Sequence, residues 1–301
     1  MAIHISYEPQ DVANAGQRYT LKCVNQSGRN WVFYVYQKLP DITSEIFSLA
    51  WFASPYKIKP NDYIKFTWYI NYNFVWSDTG KLQPGIIFEA GGAQDANLDT
   101  QNSTTFGYEN GAPGLSTPTG DSSNKGTLVI TDLDNIPDNK FSVGIGMSGY
   151  GTYVTQAGPN LNHLFTPTPY YWVAAGDEME VGKVLKIDTV TRTAEIEYPK
   201  NVYDIIATLG ADYTWSMSYS QALLGLGLST ISVYKHGTNT KLGSGLGTID
   251  KSAQTATINQ WNDRPGLQAN TKYKLISDGK TYSDVSTGNN LNLPVIFTGV
   301  V

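Results

Sequence analysis

Apolar and polar residues alternate along most of this chain, and the alternation has a period of two. The clearest stretch is residues 66–80, FTWYINYNFVWSDTG. Phe66, Trp68, Ile70, Tyr72, Phe74 and Trp76 share one parity, so an extended backbone turns all six toward one face. The other face, Thr67, Tyr69, Asn71, Asn73, Val75 and Ser77, is largely polar. Strands usually run about five or six residues, so a stretch this long predicts a bend or bulge part-way. Two readings of the rings follow. They fill the gap of roughly 10 Å between packed sheets, or Trp76, just before SDTG, emerges at a rim and stacks on a ligand.

The same period runs through the rest of the chain. YTLKCVN and NWVFYVYQKL flank the turn signal QSGR and predict a hairpin. Strands are expected at residues 46–52 and in PGIIFEA, GTLVITDL, KFSVGIGM, GTYVTQA, YYWVAA and VYDIIATLG. KVLKIDTVTRTAEIEYP predicts a second hairpin with DTVTRT as its loop. Residues 107–126, rich in Gly, Pro and Ser, predict a long loop, a class that is often functional or mobile. Only residues 218–230, SYSQALLGLGLST, break the pattern, and they predict a linker or crossover. TISVYKH, GTIDKS, AQTATINQW, TKYKLIS and LPVIFTGVV beyond it are again strand-like. The expected fold class is all-β and β-sandwich-like, with two packed β regions at residues 1–217 and 218–301.

Composition narrows the partners. Charged residues make up 16% of the 301, against roughly 25% in an average soluble domain, and aromatics reach 12%. A surface poor in charge does little to repel copies of itself. The net charge of -5, with Lys and Arg scattered, offers no basic face for nucleic acid. No apolar window is long enough for a membrane-spanning helix. The opening MAIHISYEPQ lacks the basic and apolar regions of a Sec-type signal peptide, which leaves the cytoplasm or a non-Sec route of export.

Candidate chemistry is sparse. The single cysteine, Cys23, fits a strand position as a small hydrophobe. Gly144 to Gly149, GIGMSG, matches G-x-G-x-x-G, but the strand-like YGTYVTQAGP follows where a dinucleotide site needs a helix. The glycines are expected to serve a bulge or close sheet packing. Gly146-Met147-Ser148-Gly149 nearly matches a nucleophile elbow, with Tyr150 where glycine is required and only the turn-like His236 late in the chain. His163 is expected to be a structural, hydrogen-bonded histidine. Asp95 with Asp99, Asp132 with Asp134, and Glu178 with Glu180 are paired acids of unknown separation. A calcium site near Asp95 and Asp99 stays open, without EF-hand spacing. No transition-metal site and no cofactor are expected.

NWVFYVYQKLPD, FSLAWFASPYKIKP, FTWYINYNFVWSDTGKLQPG and SVGIGMSGYGTYVTQAGPNLN together resemble the RhiA-type family, named from a rhizosphere-expressed product of soil bacteria. The resemblance covers roughly residues 17–215, with FVWS followed by TG and the GIGMSG block as its most specific parts. It implies a soluble bacterial protein made in quantity during plant-associated or high-density growth. It carries over no catalytic residue.

Two functions follow as expectations, neither enzymatic. The first is a self-assembling structural protein whose partners are copies of itself, joined by strand addition at the chain ends. Ile3, Ile5 and Tyr7 alternate at one end, and Val295, Ile296 and Phe297 lie in an apolar run at the other. The competing reading is that this run tucks into its own sheet. The alternative is a carbohydrate-binding protein that stacks glycans on Trp76, Tyr108, Tyr150, Tyr153, Tyr170 and Tyr171, all expected near loops or strand ends.

Overall fold

A computed structural model describes residues 3–6, 17–38, 46–168, 170–198, 202–219, 229–277, 280–291 and 294–300. The protein is all-β and built of packed sheets. It divides into two compact units, residues 1–197 with 207–215 and residues 198–206 with 216–301.

Strands are numbered in chain order. The first sheet has the order β1 (Ile3–Ser6), β6 (Tyr63–Tyr69), β2 (Arg18–Asn25), β17 (Asp204–Leu209) and β18 (Trp215–Tyr219). The second runs β16 (Thr193–Ile196), β15 (Tyr171–Gly176), β3 (Val32–Gln37) and β5 (Phe52–Ala53). Rings from these two sheets meet: Trp68 lies 5.1 Å from Tyr171, and Phe66 stacks on Phe52 at 5.9 Å. Trp51, just before β5, packs edge-on against Trp68 at 5.3 Å. Offset and edge-to-face geometries of this kind are the favoured ones for aromatic pairs.

The third sheet runs β4 (Ile46–Ser48), β13 (Tyr150–Gln156), β12 (Ser142–Met147), β7 (Tyr72–Ser77) and β8 (Gly92–Ala96). The fourth runs β10 (Ala112–Leu115), β9 (Ser103–Glu109), β11 (Leu128–Asp132) and β14 (Asn162–Phe165). One core joins them, with Phe74, Ile145 and Tyr153 from the third and Phe106, Ile130 and Phe165 from the fourth.

The ring-rich stretch is therefore two strands. Phe66 and Trp68 fill one core and Phe74 another, and between them Ile70 is 36% exposed at the crossing. The break expected from length is real, and it moves the chain from one sheet to another. The turn QSGR does the same, which corrects the predicted hairpin: β2 and β3 lie in different sheets. Asn25 fixes that corner. Its amide donates to the Arg29 and Ile58 carbonyls, and its oxygen accepts from the backbone and hydroxyl of Ser27. An Asx side chain that satisfies backbone groups in this way replaces a ladder that a hairpin would have supplied.

Two further expectations change. Residues 107–126 include the β9–β10 hairpin, turned at Asn110 (φ 51°) and Gly111 (φ 82°). Asn-Gly is a strong hairpin signal because both positions need positive φ. DTVTRT is not a hairpin loop. Residues 187–189 form a 3-10 turn, and β16 pairs instead with β15.

GIGMSG ends β12 and turns into β13. A Cβ on Gly144 would stand 1.9 Å from the Tyr153 carbonyl oxygen, and the register slips between Ile145 and Gly146. Close strand approach and a bulge are what these glycines serve. Cys23 is buried in β2, where burial pushes its thiol well above the usual range.

The second unit holds a closed barrel, β19 (Ser229–Lys235), β20 (Lys241–Asp250), β21 (Thr255–Asp263), β24 (Val295–Thr298), β23 (Lys280–Thr287) and β22 (Lys272–Ser277), every neighbour antiparallel. Ile231, Val233, Ile258, Leu275, Val295 and Phe297 fill it. The apolar C-terminal run is thus used at home. β24 pairs with β21 on one side and β23 on the other. Val295 and Phe297 point inward, and Ile296 faces out, 47% exposed. The β21 side of β24 is occupied from Val295 to Thr298 and the β23 side at Phe297 and Thr298, so Val295, Ile296 and Phe297 serve the barrel's own ladder, the reading weighed against strand addition. At the other end β1 pairs in parallel with β6, so Ile3 and Ile5 lie on a strand at the edge of the first sheet. Tyr7 and most of the predicted linker, residues 220–228, lie outside the described residues.

Candidate functional site

The second sheet carries a hollow of about 430 Å³. Its floor is Tyr34 of β3, and Pro84 and Met179 add apolar surface. Lys183, Lys186 and Arg192 bring positive charge, and Thr189 and Thr191 bring hydroxyls. Tyr34 is 4% exposed and packs with Tyr36, Ala174 and Leu185. Burial, then its neighbour Tyr36, push the Tyr34 phenol well above its usual range, while Arg192 acts in the opposite sense. Tyr36 is pushed up to about 12, also by burial, against a hydrogen bond with Thr193. Both phenols therefore stay neutral hydrogen-bonding groups at ordinary pH.

Arg192 is the most tightly specified side of this hollow. Its backbone is left-handed at φ 48°. Its carbonyl accepts from the Ala175 amide at 3.1 Å and from the Trp215 indole at 2.7 Å. Its guanidinium lies 4.4 Å over the ring of Trp31 and 6.0 Å from that of Tyr213, and one nitrogen donates to Thr191 Oγ1 at 3.1 Å. Arg29 also covers Trp31, at 4.5 Å, and pairs with Asp177 at 3.0 Å. The indole, fully buried, donates to Ser27 Oγ. Two cations over one indole are held by its negative face.

The predicted stacking residues do not converge here. Trp76 is half-buried and packs on Phe106 at 5.5 Å and Phe141 at 5.9 Å. It also rests on Gly91 and Gly92, where a Cβ on Gly92 would come within 2.5 Å of the indole nitrogen. Tyr108 meets the same Phe141 at 5.8 Å and lines a second hollow of about 420 Å³ on the β9–β10 hairpin, with Glu109, Asn110 and Leu133. Tyr153 and Tyr171 are 1% exposed and belong to the cores, which removes them as stacking surfaces. Tyr150, 39% exposed, packs edge-on against Phe52, and Tyr170 is 44% exposed. Arg192 escaped the sequence reading altogether. Nothing in TVTRT marks a left-handed arginine, since Gly or Asn is the residue expected there.

Ser148, His163 and His236 are occupied. Ser148, fully buried at φ 54°, donates from Oγ to the Tyr69 carbonyl and accepts from the Tyr69 amide. His163 meets Asp132 at 2.8 Å, and the same carboxylate oxygen accepts from the Gly158 amide. His236 meets Asp284 at 2.7 Å on the barrel surface. Asn97 turns the DANLD segment by accepting from the amides of Asp99 and Thr100. Among the described residues, no group of three or more His, Cys, Asp or Glu could hold a metal ion. Among them, too, no helix is long and apolar enough to cross a membrane.

The fold and site define an all-β protein with an aromatic-floored, cation-rimmed hollow on one sheet, followed by a small closed barrel. The chain belongs to the RhiA family, whose model matches residues 16–220. It is similar to Protein RhiA of Rhizobium leguminosarum bv. viciae, 50% identical over a 232-residue alignment that covers 72% of this chain and 99% of that relative. No solved structure matches. The family match stops short of β19, so the barrel lies outside it.

Proposed function

We propose that this is a non-catalytic, carbohydrate-binding protein whose binding site is the hollow floored by Tyr34. The observation that carries the reading is the pairing of apolar and hydrogen-bonding surface in one open cavity. Pro84 and Met179 suit the C–H face of a sugar ring, and the Tyr34 phenol, Thr189, Thr191, Lys183 and Arg192 suit its hydroxyls. A cavity of about 430 Å³ is within the ordinary range for small-ligand sites. The occupied state of Ser148, His163 and His236 supports a role in binding rather than bond-making.

Glycan-array screening followed by titration calorimetry tests it. The expected result is selective binding that falls about tenfold in Tyr34→Phe, a loss of about 1.4 kcal/mol of the kind one hydrogen bond supplies. A flat array would refute the proposal.

A second reading, self-association, has one observation in its favour. β14 is an edge strand, and Leu164 on it and Leu161 beside it are 49% and 43% exposed. An apolar open edge is a site for pairing with a neighbour. Light scattering of wild type against Leu164→Glu decides it: a wild-type oligomer that dissociates on substitution supports this reading, and a wild-type monomer removes it.

A further inference from the structure

We infer that the hollow recognises an acidic saccharide, and that the Arg192 guanidinium takes its carboxylate. The inference rests on the carbohydrate-binding reading above and names the ligand class for that site.

The first ground is charge left uncompensated. Arg192, Lys183 and Lys186 all line the hollow. Among the described residues, no carboxylate forms an ion pair with any of them. The one acid in the lining, Asp177, is already paired with Arg29. The hollow is thus a cationic depression in a chain whose net charge is -5.

The second ground is preorganisation. A left-handed arginine is an unfavourable choice for a turn, and residues held in such conformations cluster at ligand sites. Here the conformation is over-determined. The Ala175 amide and the Trp215 indole fix the carbonyl, and Trp31 lies beneath the guanidinium. Thr191 takes one of its donors. A guanidinium lying over a ring keeps N–H groups for another acceptor. That planar fork matches a carboxylate bidentately, which an ammonium cannot do. Indole stacking also leaves the cation less to lose on desolvation by a ligand.

The third ground is the ring of groups around that anion position. Tyr34 contributes a neutral phenol and Met179 and Pro84 apolar surface, so the site is not a bare anion trap. A uronate presents both a carboxylate and a C–H face. The lysines at the rim supply charge for a second uronate of the same chain.

The test uses the full-length protein and calorimetric titration with three probes: a uronate tetrasaccharide, its full methyl ester and a neutral glucan tetrasaccharide. The expected result is that the uronate binds at least tenfold more tightly than its ester, with affinity falling as salt rises. Arg192→Gly, which suits the left-handed backbone, is expected to bring uronate affinity down to that of the ester. Tryptophan emission and a thermal melt report whether that variant is folded, and the uronate-to-ester ratio in wild type stands without it. Equal binding of uronate and ester overturns this inference and leaves the carbohydrate reading intact. An undiminished uronate preference in folded Arg192→Gly overturns the role of Arg192. Binding of none of the three overturns both readings.

Discussion

Ser148 holds Tyr69 by both of its backbone polar groups. The hydroxyl donates to the Tyr69 carbonyl at 2.7 Å and accepts from the Tyr69 amide at 3.0 Å, while the Ser148 amide donates to the Asn71 carbonyl at 3.1 Å. Residues 69–71 are where the chain leaves the first sheet for the third, so two ladders end there together. The Ser148 hydroxyl supplies the bonds that the interrupted strand lacks. Ser148→Ala leaves a buried donor and a buried acceptor bare and is expected to cost about 2–4 kcal/mol. Urea denaturation measures it.

His163 and Asp132 form a second buried fastening, between β14 and β11 of the fourth sheet. The Asp132 side chain is wholly buried, and its pairs are the His163 ring and the Gly158 amide. His163→Ala strands a buried carboxylate and is expected to cost about 3–5 kcal/mol. The double variant His163→Leu with Asp132→Asn should recover part of it, since a neutral amide is cheaper to bury than an unpaired charge. Thermal melts of the three proteins check the order.

Trp68 is fully buried and touches Trp51 and Tyr171. Trp68→Ala is expected to destabilise by about 3–5 kcal/mol, whereas Trp76→Ala, at a half-buried position, should cost less. Chemical denaturation of both variants ranks them, and a larger loss at Trp76 would contradict the packing described here.

Alkaline pH should loosen the fold in a definite window. Tyr36 is raised to about 12 by burial, from an ordinary value of 10.0. The unfolded chain therefore loses its proton first, and the native state binds more protons between the two values. The contribution of Tyr36 to stability is complete below pH 10, falls as pH rises above it, and levels off once its native phenol ionises near 12. The denaturation midpoint followed from pH 9 to 12 should drop, and Tyr36→Phe should flatten the slope.

Removing residues 294–300 takes β24 out of the barrel and with it Val295, Phe297 and Val300. The expected result is an opened second unit, seen as lost amide protection in residues 229–291, with β6, β7, β12 and β15 still protected. Hydrogen exchange reads both regions at once. A truncated chain whose barrel amides stay protected would show that closure is dispensable.

How much of this was legible in the sequence differs from place to place. Period-two alternation sets the face of each strand, so the burial of Phe66, Trp68 and Phe74 could be foreseen. It does not say which sheet a strand joins, and QSGR and Ile70-Asn71 both turned out to be passages between sheets rather than turns within one. Asn110-Gly111 was a readable hairpin signal that the surrounding Gly and Pro obscured. The site was nearly invisible. Tyr34 looks like any other ring on β3, and Arg192 sits where positive φ would have called for Gly or Asn. What unites them is tertiary: an indole, a turn and a sheet surface brought together from residues 31–34, 175–192 and 213–215.

The ring of six strands in the second unit ends where it began, each rung bonded on both sides. A part of that kind is portable. Gaining or losing it during evolution exposes no raw seam within the part itself.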